Sequence, residues 1–245
     1  MRRHPDLRHV VVLAPMPLEL DAVVAAFGLE PAGPDDPDAR TGRAGGWEVT
    51  ALHVGMGPAT ARAATARLFD AGSGRLPVEH VMVVGICGGL HPDVAVGTLV
   101  NPETVVEHTT GATYRHVHPA GTPGAGSLIT TEGVHLDLEL SQRMLADGFL
   151  GVDMESSAVA EVCEAHRCPW SVYRCISDRA VDGLLDDRIL ALTRPDGSVR
   201  EEELIHLLAA EPEVAATLDQ LARDSALAAR LAAEEAFRGL LALDA

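Results

Sequence analysis

Gly151-Val152-Asp153-Met154-Glu155-Ser156-Ser157-Ala158 and, further along, Tyr173-Arg174-Cys175-Ile176-Ser177-Asp178 decide how this chain folds. In the first stretch a carboxylate pair leaves a short apolar segment and opens an alanine-rich helix. In the second, an apolar run ends in an isolated Ser-Asp. That order sets acidic sites at the carboxyl ends of two strands, where open α/β sheets place their ligands. Acids are also favoured in the first turn of a helix, so simple capping is the plain alternative for Asp153 and Glu155.

The rest of the chain repeats the alternation. Apolar β-type runs stand at 10–14, 47–54, 81–85, 98–106 and 170–176, with alanine-rich helical stretches at 19–27, 59–71 and 156–166 between them. Strands alternating with helices predict an α/β fold with a mostly parallel sheet covered on both faces. Segments 31–43 and 120–126, rich in Gly, Pro or Asp, read as exposed loops. No internal repeat or linker divides the chain, so one domain is expected over 1–245. From Glu201 onward the sequence is nearly all helix former: one helix over 201–210 and a long one after Pro212, its apolar face marked by Leu218, Leu221, Leu227 and Leu231.

Composition narrows the function. With 36 acidic against 19 basic residues the formal net charge is −17, which argues against a nucleic-acid surface and for a small ligand. Cys87, Cys163, Cys168 and Cys175 form no C-x-x-C pair and read as reduced core residues. No stretch is apolar for long enough to cross a bilayer, and residues 1–6 lack a signal-peptide core, so a cytoplasmic protein is expected. A Rossmann dinucleotide site is disfavoured: strand one ends in Ala14-Pro15-Met16-Pro17, and Gly85-Ile86-Cys87-Gly88-Gly89 has the wrong spacing. G-x-S-x-G is absent, so no serine-hydrolase nucleophile is in view.

Four ordered segments carry a family resemblance: 11–19 (VVLAPMPLE), Gly55-Met56-Gly57, 84–90 (VGICGGL) leading to 96–100 (VGTLV), and the VDMESSA…RCISD pair. Together they resemble the nucleoside phosphorylase and nucleosidase superfamily, and within it the methylthioadenosine/S-adenosylhomocysteine nucleosidase branch, whose pattern is V-E-M-E-A-T-A followed by R-x-I-S-D. The resemblance implies a nucleoside phosphorylase-like fold with no cofactor, and a homodimer packed through the 59–71 helix and the loop around His108. The helical tail, here a C-terminal extension over 200–245, resembles that of hopanoid-associated nucleosidases, which act on adenosyl lipids.

Single residues separate phosphorolysis from hydrolysis. Phosphorylases of the superfamily hold phosphate with arginines and a serine; the matching positions here are Glu19, Val83 and Ile86. A dianion placed against an acid and two hydrocarbon side chains lacks the partners that repay desolvation. Glu19 matches the glutamate that activates water in the nucleosidases, a general-base task. By the same resemblance Asp178 protonates the purine N7, Ser177 orients it, Glu155 accepts the ribose 2′- and 3′-hydroxyls, and Met154 packs on the sugar. Ile86, Cys87 and Gly88 wall the ribose and base, since glycines admit close backbone approach. Met56 lines the 5′ pocket, and His135 stands where the family stacks a phenylalanine on adenine. The expected reaction is hydrolysis of a purine nucleoside, adenosine with a modified 5′ position. Two alternatives remain: a phosphorylase using Arg40 or Arg43 from a neighbouring subunit, and an inactive purine-binding protein. The H-x-H pair His116 and His118 has no acid or Cys at ligand spacing, so no metal is expected.

Overall fold

The computed structural model describes residues 8–34, 36–70, 77–118, 124–134 and 137–244. Strand β1 (Arg8–Ala14) is apolar from Val10 onward, as a strand buried on both faces tends to be. Helix α1 (Pro17–Phe27) follows, with Pro at its first position and Gly28 in the left-handed region at its end. Then come β2 (Glu30–Pro31), β3 (Ala39–Ala44), β4 (Trp47–His53), α2 (Pro58–Leu68), β5 (His80–Gly89), β6 (Leu99–Val100), β7 (Thr104–Glu107), β8 (Thr113–Tyr114) and β9 (Ser127–Thr130). The remainder holds α3 (Leu138–Ala146), β10 (Phe149–Asp153), α4 (Ser156–Ala165), β11 (Trp170–Arg179), a 3-10 turn, α5 (Asp187–Leu190), α6 (Glu201–Ala210) and α7 (Val214–Ala242).

The sheet is mixed. Its central run β4-β1-β5-β11 is parallel, with β3 antiparallel at one margin and β10 meeting the end of β5 antiparallel. Alternation along each strand feeds two core layers. Val10, Val12, Met82, Val84, Tyr173 and Cys175 pack in one with α1 and α7. Val11, Leu13, Val81, Val83, Val172 and Ile176 pack in the other, with residues of α2 and α4. The expected α/β class is therefore present, with helices on both faces, and all four cysteines are buried and unpaired.

Several expectations need correction. Segment 31–43 is not all loop: Ala39–Ala44 forms β3, whose sequence ARTGRA has little strand propensity and pairs because β4 offers it an edge. The run at 98–106 breaks into β6 and β7 around Pro102, which lacks an N–H for the ladder. Strand β5 runs on past the expected end at 85 through Gly89, and β11 carries Ser177 and Asp178 within the strand, past an irregularity between Ile176 and Asp178. In α7 the buried residues are Val214 and a stripe of Ala228, Ala229, Ala232, Ala233, Ala236, Gly239 and Leu240, not the expected Leu218, Leu221, Leu227 and Leu231. Small residues let this 29-residue helix lie close on the sheet, and Gly239 in particular makes room for the Tyr173 ring. Leu227 and Leu231 pack beside Gly97, whose amide donates to the Ile176 carbonyl at 2.8 Å.

Candidate active site

The carboxyl edge of the parallel strands gathers the acids. Glu19 sits in the first turn of α1, just past β1; Asp153 ends β10; Glu155 precedes α4. Arg174 reaches all three from β11: Nη2 is 2.8 Å from Asp153 Oδ2 and 3.0 Å from Glu155 Oε2, and Nη1 is 3.6 Å from Glu19 Oε1. All four side chains are buried. Each carboxylate has further donors. Glu19 accepts from the amides of Met16 and Ile86, both at 2.7 Å. Glu155 accepts from Gly57 N at 2.8 Å, and Asp153 from Thr130 Oγ1 at 2.7 Å and from the Ser156 hydroxyl. Gly85 makes this possible, because a Cβ there would overlap the Glu19 carboxylate and the Arg174 guanidinium.

Capping explains only part of the cluster. Asp153 does hold the first turn of α4 through Ser156, and Glu19 caps α1 through the Met16 amide. Glu155 makes no cap bond to its own helix; its oxygens are spent on Gly57 and Arg174. Arg174 had no assigned role in the sequence reading. Its signal was a lone cation inside the apolar run WSVYRCI, since a charge buried in a strand must find partners.

One guanidinium against three carboxylates leaves the cluster short of positive charge. Burial pushes Glu19 up to about 8, against the pull of Arg174 and its two amide donors. Burial also raises Glu155, with Arg174 opposing and Asp153 adding to the rise. For Arg174 itself burial disfavours the charge, but Asp153, Glu155 and Glu19 outweigh it and hold the guanidinium charged. Burial thus makes Glu19 more basic than an ordinary carboxylate, while Arg174 and the two amide donors hold that rise in check.

Asp178 lies apart on β11. It is half-buried, accepts a 2.6 Å hydrogen bond from Ser177 Oγ on one oxygen, and has its other oxygen 3.7 Å from where a Cβ on Gly88 would sit. Burial raises its pKa above the ordinary aspartate value; the Ser177 bond opposes this, and Asp182 and Asp224 add to it. Along the end of β5, Ile86 and Gly88 are half-open while Cys87 is sealed, its sulfur packed near Gly151. The Cys87 side chain thus belongs to the core, and only its backbone is left to meet a ligand. Met56 and Met154 are half-buried, and Met154 Cε lies 3.9 Å from the Cβ position of Gly57. His135 lies outside the described residues.

The remaining candidates resolve structurally. Val83 is in the core. His116 Nε2 meets the Pro102 carbonyl at 2.8 Å and its ring packs, tilted, against those of His118 and Trp170; His118 Nδ1 meets Asn101 Oδ1 at 3.0 Å. Among the described residues no cluster of His, Cys, Asp and Glu is arranged to hold a metal ion. Arg40, on β3, is turned onto the carbonyls of Pro37 and Ala39 at the start of its own strand.

Acids set at the carboxyl ends of β1, β10 and β11, all three paired with β5, beside half-open glycine and methionine positions, define an α/β enzyme with a small-ligand site. Comparison with known proteins gives the particular family. Residues 9–125 match the model of the phosphorylase superfamily. The chain is 31% identical over 209 residues to futalosine hydrolase of Streptomyces coelicolor, covering 69% of this chain and 83% of that enzyme. It is 29% identical over 170 residues to 5′-methylthioadenosine/S-adenosylhomocysteine nucleosidase of Bacillus subtilis, covering 57% of this chain and 72% of that one. Its fold matches the Helicobacter pylori 5′-methylthioadenosine/S-adenosyl homocysteine nucleosidase with a TM-score of 0.69 at 15% identity, over 98% of this chain and 99% of the other. The chain belongs to the phosphorylase superfamily and is a hydrolase of that superfamily. Among the described residues no helix is long and apolar enough to cross a membrane.

Proposed function

We propose that this chain hydrolyses the N-glycosidic bond of a purine nucleoside, adenosine carrying a modified 5′ position of the methylthioadenosine/S-adenosylhomocysteine or adenosyl-lipid type. The observation that carries the reading is Glu19: a buried carboxyl group, basic for its kind, at the strand end where a phosphorylase would need a cation. In the reaction Asp178 gives its proton to the purine N7, so the base leaves neutral. Glu19 takes a proton from water as the oxygen bonds to the anomeric carbon. Glu155 holds the 2′- and 3′-hydroxyls, with Met154, Met56, Ile86 and the backbone of Cys87 and Gly88 around the sugar and base. Ser177 orients Asp178. His135 is assigned to stacking on the base.

The test is base release from adenosine, methylthioadenosine and S-adenosylhomocysteine in phosphate-free buffer. Free base and free sugar are expected, with no change in rate or product when phosphate is added. Glu19→Gln should abolish release and leave nucleoside binding in place, because an amide cannot take the proton from water. Ribose 1-phosphate, or release that requires phosphate, would promote the phosphorylase reading. Binding without turnover would leave a purine-binding protein. We also propose a cytoplasmic homodimer packed through α2 and the loop around His108; a monomer mass by light scattering at micromolar concentration would refute the assembly.

A further inference from the structure

Arg179 follows Asp178 directly on β11, and its charge is turned away from the acid. The irregularity in the ladder sets Asp178 opposite Gly88 and Arg179 opposite Gly89, and neighbouring residues of a strand leave by opposite faces. Asp178 Oδ2 accordingly lies 3.7 Å from the Cβ position of Gly88, whereas Arg179 Cγ lies 3.4 Å from that of Gly89. Each guanidinium nitrogen has an acceptor. Nε and Nη2 grip Asp182 in a bidentate pair at 2.9 and 2.6 Å, and Nη1 donates to the Pro92 carbonyl at 2.7 Å and more weakly to that of Val94 at 3.5 Å.

These contacts join two segments at the end of the sheet. Asp182 closes the 3-10 turn Ala180–Asp182, and Gly183 ends that turn in the left-handed region. Pro92 and Val94 lie in the loop after β5, which is closed by the Val94 amide on the His91 carbonyl at 3.2 Å. One side chain thus clips the segment leaving β11 to the loop leaving β5, and the ends of those two strands carry Asp178 and Gly88. The charge balance is set in the same place. The groups acting on Asp178 are the Ser177 hydroxyl, Asp182 and, from α7, Asp224; Asp93, in the loop after β5, acts on Arg179. A free guanidinium within about 4–6 Å of a carboxyl group favours the ionised form and lowers its pKa by about 1–3. An acid that has to hold its proton is served by a neighbouring arginine that is already paired.

Resting on the nucleosidase reading above, in which Asp178 is the acid, we propose that Arg179 and Asp182 are positioning residues for Asp178. The pair pins the backbone that follows the acid and keeps the adjoining positive charge off it.

The experiment follows the Asp178 carboxyl across pH by carboxyl-carbon NMR, assigned by its loss in Asp178→Asn, in the full chain, in Asp182→Asn and in Arg179→Gln. Beside it, kcat and KM are measured for whichever of adenosine, methylthioadenosine and S-adenosylhomocysteine the wild type cleaves fastest. The two variants break the same pair and should move the acid in opposite directions. Asp182→Asn removes an anion and frees the guanidinium, so Asp178 should titrate at a pH lower by about 1. Arg179→Gln leaves Asp182 without its cation, so Asp178 should titrate at a higher pH than in wild type. In both, kcat should fall by about tenfold with KM held within about twofold, because a misplaced acid matters only as the bond breaks. Shifts of the same sign, or none in either variant, would reduce the pair to a structural clip and overturn the proposal. So would a kcat within about twofold of wild type in both. Should one variant fail to fold, the sign of the shift in the other decides. A wild type that releases no base would overturn the nucleosidase reading and the role of the pair with it, whereas unmoved titrations in an active enzyme overturn the pair alone.

Discussion

Two acidic regions share one sheet edge and are built on opposite principles. Around Arg174 three carboxylates are each fixed by at least two donors, and the cation pulls against burial. Among the described residues no cation pairs with Asp178; Ser177 donates to it, and Asp182 and Asp224 push the same way as burial. The first arrangement buys rigid orientation. The second leaves the burial-raised pKa of Asp178 opposed by the Ser177 bond and by no ion pair. In the proposed reaction it is this difference in environment, not residue type, that separates the base Glu19 from the acid Asp178.

The sharpest way to break that contrast is to remove the solitary acid. Asp178→Asn should lower kcat by roughly 10²–10⁴-fold with nucleoside affinity retained, because proton donation matters only as the bond breaks. Steady-state kinetics beside ligand titration decide it; near-normal turnover would remove Asp178 from the mechanism. Arg174→Met attacks the other side. It leaves buried carboxylates unpaired and should cost about 3–5 kcal/mol in denaturant unfolding. A loss near that of a surface ion pair would show that the cluster does not depend on its cation.

A third test uses the proton held by Glu19. The folded protein keeps it up to about 8, whereas an unperturbed glutamate releases it near 4.5. The folded state therefore binds the extra proton across that window, and Glu19 makes stability fall as pH rises through it. Glu19→Gln removes this dependence, so its melting point should gain on wild type between about pH 5 and about pH 9. Parallel curves would mean that Glu19 is ionised throughout. The smallest effect is expected for Ser177→Ala. Loss of one hydrogen bond, about 1 kcal/mol, should cost about fivefold in kcat. Because the Ser177 bond lowers the Asp178 titration, its removal should also move the alkaline limb of the pH profile upward. A fall in kcat with an unmoved limb would assign Ser177 a packing role alone.

The strands and helices that were legible were those with dense local patterns: β1 with its apolar run from Val10, the alanine-rich α4, and α6 and α7 from Glu201 onward. Strand β3 was not legible, because ARTGRA forms a strand only where β4 supplies an edge. The four candidate motifs were visible as sequence because glycines and acids at strand ends stand out against apolar runs. Arg174 was quoted and passed over, since a single arginine in a strand has meaning only when its partners are known.

By itself the sequence determined the α/β class and the acids at the strand ends, since hydrophobic periodicity and isolated charges are local properties. Tertiary structure decided which acids share a cation and which stands alone. Those relations join segments far apart in the chain, and their energies depend on burial and distance, which exist only once the sheet has brought the segments together.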